Sequence, residues 1–376
     1  MGRVVLVTGV SRYLGGRYAK MLSADPEVER VIGVDVIPPG HDIGDTGFVR
    51  ADIRNPVIGR IIEHAGVDTV VHMSVIATPM GAGGRVSMKE INVIGTMQLL
   101  AACQRSPSLR RLVVKSTSAV YGSSPRDPAL FSEDLVGKVP PRSGWGKDSV
   151  EVEGYVRGFS RRRPDVDVVT LRLANLVGPG IRTPMTDYFA LPVIPTVLGF
   201  DPRLQFLHED DALEALRLGA LEDVSGVVNV AGDGVISLSQ AARFAGRPTL
   251  PVPPMLAGAV GVLYRQTGLT DFSREQIRYL SYGRGLDTTR MRDVLGLKPT
   301  YTTRDAFLDF VRRRRLSGPL SPEVIHSVER RLGDLLGVRP VPVPVPVAVT
   351  SSSAADPDGP VGTSGPAGSF PGEGDL

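Results

Sequence analysis

The sequence predicts an α/β fold built on a doubly wound parallel sheet, and three observations carry that expectation. Short runs rich in Val, Ile and Leu alternate with helical patterns up to about residue 175. These runs are apolar throughout instead of alternating, as strands covered on both faces are. A glycine-containing turn follows the first run and leads straight into a helix. Strands alternating with helices at this spacing need right-handed crossovers, and such crossovers build parallel sheets.

Residues 3–7 read as the first strand, 16–22 as the helix after it and 31–35 as the second strand. Residues 48–51 form a short strand, 57–64 a helix and 69–73 a strand. A long helix covers 86–104, a strand 111–116, a helix 147–159 and a strand 166–171. After Asn175 the pattern breaks into Pro- and Gly-rich loops, which suits a smaller lobe that faces a substrate. The expected organisation is a nucleotide-binding core over residues 1–175 and a lobe over 176–316, interleaved with the core. A C-terminal helix follows over 317–339, with Ser321 as N-cap and Ile325, Val328 and Leu332 on one face. Residues 340–376 are a Pro/Gly/Ser-rich tail with little to bury, and are expected to be disordered.

Composition narrows the function classes. The chain has 376 residues, 42% of them hydrophobic, and a net charge of +3. That is enough for one large α/β core or two modest ones. The charge excess sits in arginine runs at 161–163 and 312–315, which read as solvated helix ends and not as a nucleic-acid surface. Cys103 is the only cysteine, so an internal disulfide and a cysteine metal site are excluded. No apolar stretch is long enough for stable membrane insertion, and the expected location is the cytoplasm. The apolar stretch 255–264 reads as a buried helix of the smaller lobe, with contact to a membrane surface or apolar ligand as the alternative.

The turn after the first strand runs from Gly9 to Gly16. Glycines there let the backbone approach a pyrophosphate, and the helix that follows offers N–H groups and the positive end of its dipole. This is the layout of a Rossmann-type dinucleotide site. It makes Gly9, Ser11, Arg12, Tyr13 and Leu14 cofactor-binding candidates. The fingerprint puts a second glycine at position 12, where this chain has Arg12. A long side chain there weakens the fit to the phosphates, or its guanidinium folds over them and compensates. Asp35 ends the second strand about 20 residues further on, where a carboxylate binds a ribose 2′-hydroxyl and repels a 2′-phosphate. NAD is therefore expected over NADP as the cofactor, with Arg12 pulling the other way as a cation near the ribose that could bind a 2′-phosphate.

Seven ordered segments together resemble the extended short-chain dehydrogenase/reductase superfamily. Within it they are most similar to the NAD-dependent epimerase/dehydratase family that includes UDP-glucose 4-epimerase. Besides the glycine turn, Ala51-Asp52-Ile53-Arg54 resembles the family's adenine-contacting segment, which implies roles for Asp52 and Ile53. His72-Met73-Ser74 resembles the element that passes behind the cofactor, which implies Met73 and Ser74. Asn92-Val93-Ile94-Gly95-Thr96 resembles a family helix motif. Ser116-Thr117-Ser118-Ala119-Val120-Tyr121-Gly122 puts Thr117 at the catalytic Ser/Thr position. Leu171-Arg172, Asn175 and Gly178-Pro179-Gly180 resemble an element in which Asn175 faces the substrate. Phe206-Leu207-His208-Glu209-Asp210-Asp211 resembles a motif of the second lobe.

The family also carries a Tyr-x-x-x-Lys pair, whose members lie a turn apart on one helical face. The lysine lowers the phenol's pKa and the phenol moves a proton during hydride transfer. Lys147 is read here as that lysine, which also binds the nicotinamide ribose, and Ser143 stands four residues earlier where the tyrosine belongs. Neither Tyr155 nor Tyr121 restores the pair, and Trp145 has no titratable proton. The catalytic candidates are thus Thr117, Ser143 and Lys147, and Asn175 and Arg203 are the substrate candidates. Arg182 and Arg284 are further cations for a diphosphate. The residues His208, Asp210 and Asp211 read as a helix cap and not a metal site.

These features imply an NAD-dependent epimerase/dehydratase-like protein. It would act on a nucleotide-activated sugar by transient hydride transfer with an altered proton relay. A non-catalytic NAD(P)-binding sensor or scaffold, and a lipid or sterol dehydrogenase of the same superfamily, are the alternatives. The resemblance further implies a homodimer formed through the two long helices.

Overall fold

The computed structural model describes residues 2–74, 85–256 and 273–316. Among them, the strands are β1 (Arg3–Thr8), β2 (Val28–Asp35), β3 (Gly47–Arg50), β4 (Thr69–His72), β5 (Arg111–Thr117) and β6 (Asp167–Leu173). There follow β7 (Asn175–Val177), β8 (Ile194–Val197), β9 (Arg203–Leu204), β10 (Phe206–His208), β11 (Gly226–Val230), β12 (Ile236–Ser237) and β13 (Thr249–Val252). The helices used below are α1 (Tyr13–Ser23), α2 (Val57–His64), α3 (Arg85–Lys89), α4 (Thr96–Arg105), α5 (Gly144–Arg162), α6 (Pro184–Phe189) and α7 (Glu209–Leu221).

Seven strands form one sheet in the order β11-β6-β5-β4-β1-β2-β3, and every pairing in it is parallel. The winding reverses between β1 and β4, so the connections after these strands leave in opposite directions. That reversal opens a crevice at the carboxyl edge of the sheet, where open α/β folds bind ligands. The Rossmann-type architecture is as expected from sequence.

Burial explains why these segments pair. All four residues of β4 are buried, and one sheet face packs against α1 and α7 through Leu14, Tyr18, Leu22, Ala212 and Leu216. The other face packs against α2, α4 and α5 through Ile58, Ile62, Leu99, Cys103, Val152 and Phe159. A third cluster of Tyr188, Phe189, Phe206, Phe307 and Phe310 forms the core of the smaller lobe. Residues beyond Asn175 serve both parts, because β11 returns to the sheet beside β6.

Some elements differ from the sequence expectation. Helices α1 and α5 begin at Tyr13 and Gly144, ahead of residues 16 and 147. The long helix is divided into α3, a π-helical segment (Glu90–Gly95) and α4. Polar groups explain the wider turn: the Thr96 hydroxyl donates to the Asn92 carbonyl at 2.6 Å and also pairs with His72 Nε2 at 2.8 Å. The C-terminal helix, the tail and most of the stretch 255–264 lie outside the described residues.

Candidate functional site

The glycine turn is built tightly. Gly9 has φ +83°, and a Cβ on Gly15 would meet the Gly9 carbonyl oxygen at 2.1 Å, so neither position admits another residue without a shift. Two cavities meet at this turn. The larger, about 450 Å³, lies over β1, β5 and β7 and is lined by Gly9, Ser11, Arg12, Tyr13 and Leu14, among others. The smaller, about 50 Å³, is lined by Gly9, Arg12, Asp35, Asp52, Ile53 and Ser74. Gly9 and Arg12 belong to both. The structure therefore gathers the cofactor candidates other than Lys147 along one elongated cleft, with Met73 lining the larger cavity.

At the narrow end, the Asp35 carboxylate accepts the N–H of Ser11 at 3.1 Å and of Val36 at 2.8 Å. Carboxylate oxygens have further lone pairs for ligand hydroxyls. Asp52 is held by Arg54 at 2.6 Å, and that hydrogen bond lowers its pKa. The Arg12 guanidinium has its pKa lowered by burial, against the attraction of Asp35. A helix N-terminus, a carboxylate at the second strand's end and a turn that excludes Cβ atoms fit an adenine dinucleotide. Arg12 is the one departure from that pattern.

Thr117 ends β5 at the wide end, where its Oγ1 accepts the Ala119 N–H at 3.1 Å and caps a short 3₁₀ turn. Trp145 from α5 lines the same cavity. The rotation of α5 is set by a buried ion pair: Arg172 on β6 donates to both oxygens of Glu153, at 3.0 and 2.8 Å. The Ser116 hydroxyl donates to the same Glu153 at 2.6 Å. With Glu153 turned inward, Ser149 and Gly146 are buried as well.

This rotation corrects the reading of Ser143 and Lys147. Neither lines the cavity. Ser143 is the N-cap residue, exposed, and its hydroxyl donates to Glu275 Oε1 at 3.0 Å. Lys147 is exposed and faces Glu151 at 3.7 Å. At 100° per residue, positions 143 and 147 lie about 200° around the helix from 145 and 149. The inward pair a turn apart is thus Trp145 and Ser149, whose hydroxyl donates to the Trp145 carbonyl at 2.9 Å.

From the smaller lobe, Asn175 lines the cavity together with Arg182, Met185 and Gln276. Asn175 also hydrogen-bonds the buried Tyr279. Arg203 is exposed on β9 and does not line the cleft, which corrects its assignment as a substrate group. Its short strand pairs antiparallel with β12 in a separate two-stranded sheet. Arg284 is nearer: it lies 5.0 Å over the Tyr279 ring, donates to the Gly122 carbonyl at 2.7 Å, and burial lowers its pKa to about 10. His208 is the N-cap of α7, its Nδ1 accepting the Asp210 N–H at 3.2 Å.

Two groups escaped the sequence reading. Glu209, buried at the start of α7, accepts from the Tyr13 hydroxyl and from Arg17, each at 2.7 Å. It also accepts the Gly180 and Ile181 N–H groups, at 3.1 Å each. It therefore ties the glycine turn to the loop of the smaller lobe. Lys115 lines the cavity from β5, two residues before Thr117. The period of a strand could have found it, since residues 115 and 117 share a face.

Comparison with known proteins fits this geometry. Residues 5–231 match the model of the NAD dependent epimerase/dehydratase family, and the chain belongs to that family. It is 49% identical over 333 residues to the uncharacterized protein Rv0501 of Mycobacterium tuberculosis (strain ATCC 25618 / H37Rv), covering 88% of this chain and 89% of that one. Among solved structures, it resembles UDP-glucose 4-epimerase of Thermotoga maritima with UDP-glucose. The TM-score is 0.64 at 18% identity, over 83% of this chain and 98% of that one. It also resembles dTDP-glucose 4,6-dehydratase of Bacillus anthracis in complex with NAD, with a TM-score of 0.63 at 17% identity, over 84% and 97%. At these identities the likeness is one of fold.

Proposed function

We propose that the cleft binds NAD and that the protein acts on a nucleotide-activated sugar by reversible hydride transfer, with an altered proton relay. The observation that carries this reading is the meeting of the two cavities at Gly9 and Arg12. Asp35 stands at one end of the cleft, and Thr117 with Asn175 at the other. NAD, when bound, supplies the hydride acceptor and donor. The chain's own part is to hold the adenosine ribose at Asp35, the diphosphate at the α1 N-terminus and a sugar hydroxyl near Thr117. Arg182, which lines the larger cavity, and Arg284, which lines an adjoining one, are cations for a sugar nucleotide's phosphates. The nucleotide sugars named with the structurally similar proteins support this substrate class.

A second reading, NAD binding without turnover, is favoured by one observation. The inward pair on α5 is Trp145 and Ser149, neither of which titrates in the physiological range. Self-association belongs to the proposal too, since Val86, Ile94 and Met97 of the long helix are exposed.

Calorimetry with NAD and NADP tests the first step, with NAD expected to bind at least about tenfold tighter. Absence of binding by either at millimolar concentration would sink both readings. Absorbance at the reduced nicotinamide band, on adding UDP-glucose, UDP-galactose, UDP-glucuronate or dTDP-glucose, then separates enzyme from non-catalytic binder.

A further inference from the structure

Lys115 and Thr117 leave the same face of β5, and both open into the larger cavity. Among the described residues, the other ionisable ones lining that cavity are Arg12, Tyr13 and Arg182. Arginines do not give up a proton in proteins. The Tyr13 hydroxyl is committed to Glu209, and its pKa is raised, by burial first and then by that carboxylate. Among the described lining residues, Lys115 is the remaining side chain that can take up and release a proton near neutral pH. Burial, with the charge of Arg12 second, lowers its pKa to about 8. A useful fraction of neutral amine therefore exists near physiological pH. The groups that face it include Arg12 from the glycine turn, His72 from β4, and Tyr13 and Arg182 across the cavity.

We propose that Lys115 is the catalytic acid–base of this cleft, placed on the sheet strand while the inward positions of α5 hold Trp145 and Ser149. The inference rests on the proposed function, which supplies NAD and a sugar hydroxyl. In the forward step the hydroxyl O–H bond breaks and its proton bonds to Lys115 Nζ. The oxygen's freed electron pair forms the carbonyl π bond, and the carbinol C–H leaves as hydride to oxidised NAD. The alcohol is oxidised, NAD is reduced, and the ammonium returns its proton when hydride comes back. Thr117 is the positioning residue, its Oγ1 fixed by the Ala119 N–H while its own proton is free for the substrate oxygen.

The test uses the full chain and its Lys115→Met and Lys115→Arg variants, with thermal melts as folding controls. Calorimetry on the wild type comes first; if NAD does not bind, the proposed function falls and this inference with it. With NAD bound, Lys115→Met is expected to lose about 10²- to 10⁴-fold in turnover of the responsive nucleotide sugar. Its NAD affinity should stay within about threefold, since removing an acid–base leaves the contacts at Asp35 and the α1 N-terminus intact. Lys115→Arg is expected to be equally inactive, because a guanidinium cannot act as the base. The wild-type rate should fall on the acid side with a midpoint near the amine's value of about 8. Turnover by Lys115→Met at the wild-type rate, with NAD bound, overturns the assignment alone.

A second readout needs no turnover. The chain has six lysines, few enough to resolve after reductive ¹³C-methylation, with the Lys115 signal identified by its loss in Lys115→Arg. In the NAD complex that signal should titrate near 8 and shift when UDP-glucose is added. A midpoint in the ordinary lysine range, about 10.4, or no signal response to any of the nucleotide sugars, overturns the proposal.

Discussion

Asp35 shows what a single residue's place in a strand can reveal. Its distance from the glycine turn made it a ribose candidate from sequence, and the structure sets it at the narrow end of the cleft beside Arg12. Asp35→Ala is expected to weaken NAD by about 1–3 kcal/mol, the cost of a lost charged hydrogen bond, and to narrow the gap to NADP. Calorimetry with both nucleotides checks this, and an unchanged ratio would contradict it. Lys115 affects stability as well. Its folded pKa of about 8 lies below the unfolded value of 10.5. The buried ammonium therefore costs stability at neutral pH, and the cost disappears as pH rises through the unfolded value. Lys115→Met is accordingly expected to melt higher than wild type at pH 7, by an amount that shrinks toward pH 10.

Element by element, secondary structure was more legible than helix phase. Hydrophobic runs located every strand of the first half to within a few residues, because burial on both faces leaves a continuous apolar signature. The phase of α5 was not readable, because it is fixed by Glu153 meeting Arg172 on β6 and Ser116 on β5. No local spacing near Ser143 carries that information. Breaking the pair with Glu153→Gln strands a buried guanidinium and is expected to cost about 3–5 kcal/mol, read as a lower urea midpoint. The sheet's inner polar bridge makes a pH prediction. His72 sits between Thr8 at 2.9 Å and Thr96 at 2.8 Å, and burial lowers its pKa to about 3 from 6.5. The folded state refuses a proton that the unfolded state accepts. Stability is therefore complete above pH 6.5 and is lost as pH falls toward 3. Between pH 7 and 5 the loss is expected to be about 2 kcal/mol, and a His72→Gln variant should lack that part of the slope.

At the scale of the whole molecule, two parts built from non-contiguous chain meet over one cleft. Glu209 joins them by accepting from Tyr13 and Arg17 on one side and from Gly180 and Ile181 on the other. Sequence placed Glu209 inside a recognisable segment, yet such a long-range bond leaves no periodic trace. The long helix of the core leaves Val86, Ile94 and Met97 exposed, at 76%, 46% and 43%. If two copies pair there, Ile94→Glu is expected to convert a dimer into a monomer in sedimentation experiments. A wild-type monomer at micromolar concentration would remove self-association from the proposal.

Trp145 has a use apart from chemistry. It is the only tryptophan of the chain and it lines the cleft itself. Its emission therefore comes from one place, unmixed with signal from any other indole. Ligands entering the wide end of the cleft will quench or shift that light, and a reduced nicotinamide nearby will collect it and re-emit in the blue. The protein thus carries its own optical gauge of occupancy, by which the proposed binding of cofactor and substrate can be followed in stopped flow without a label.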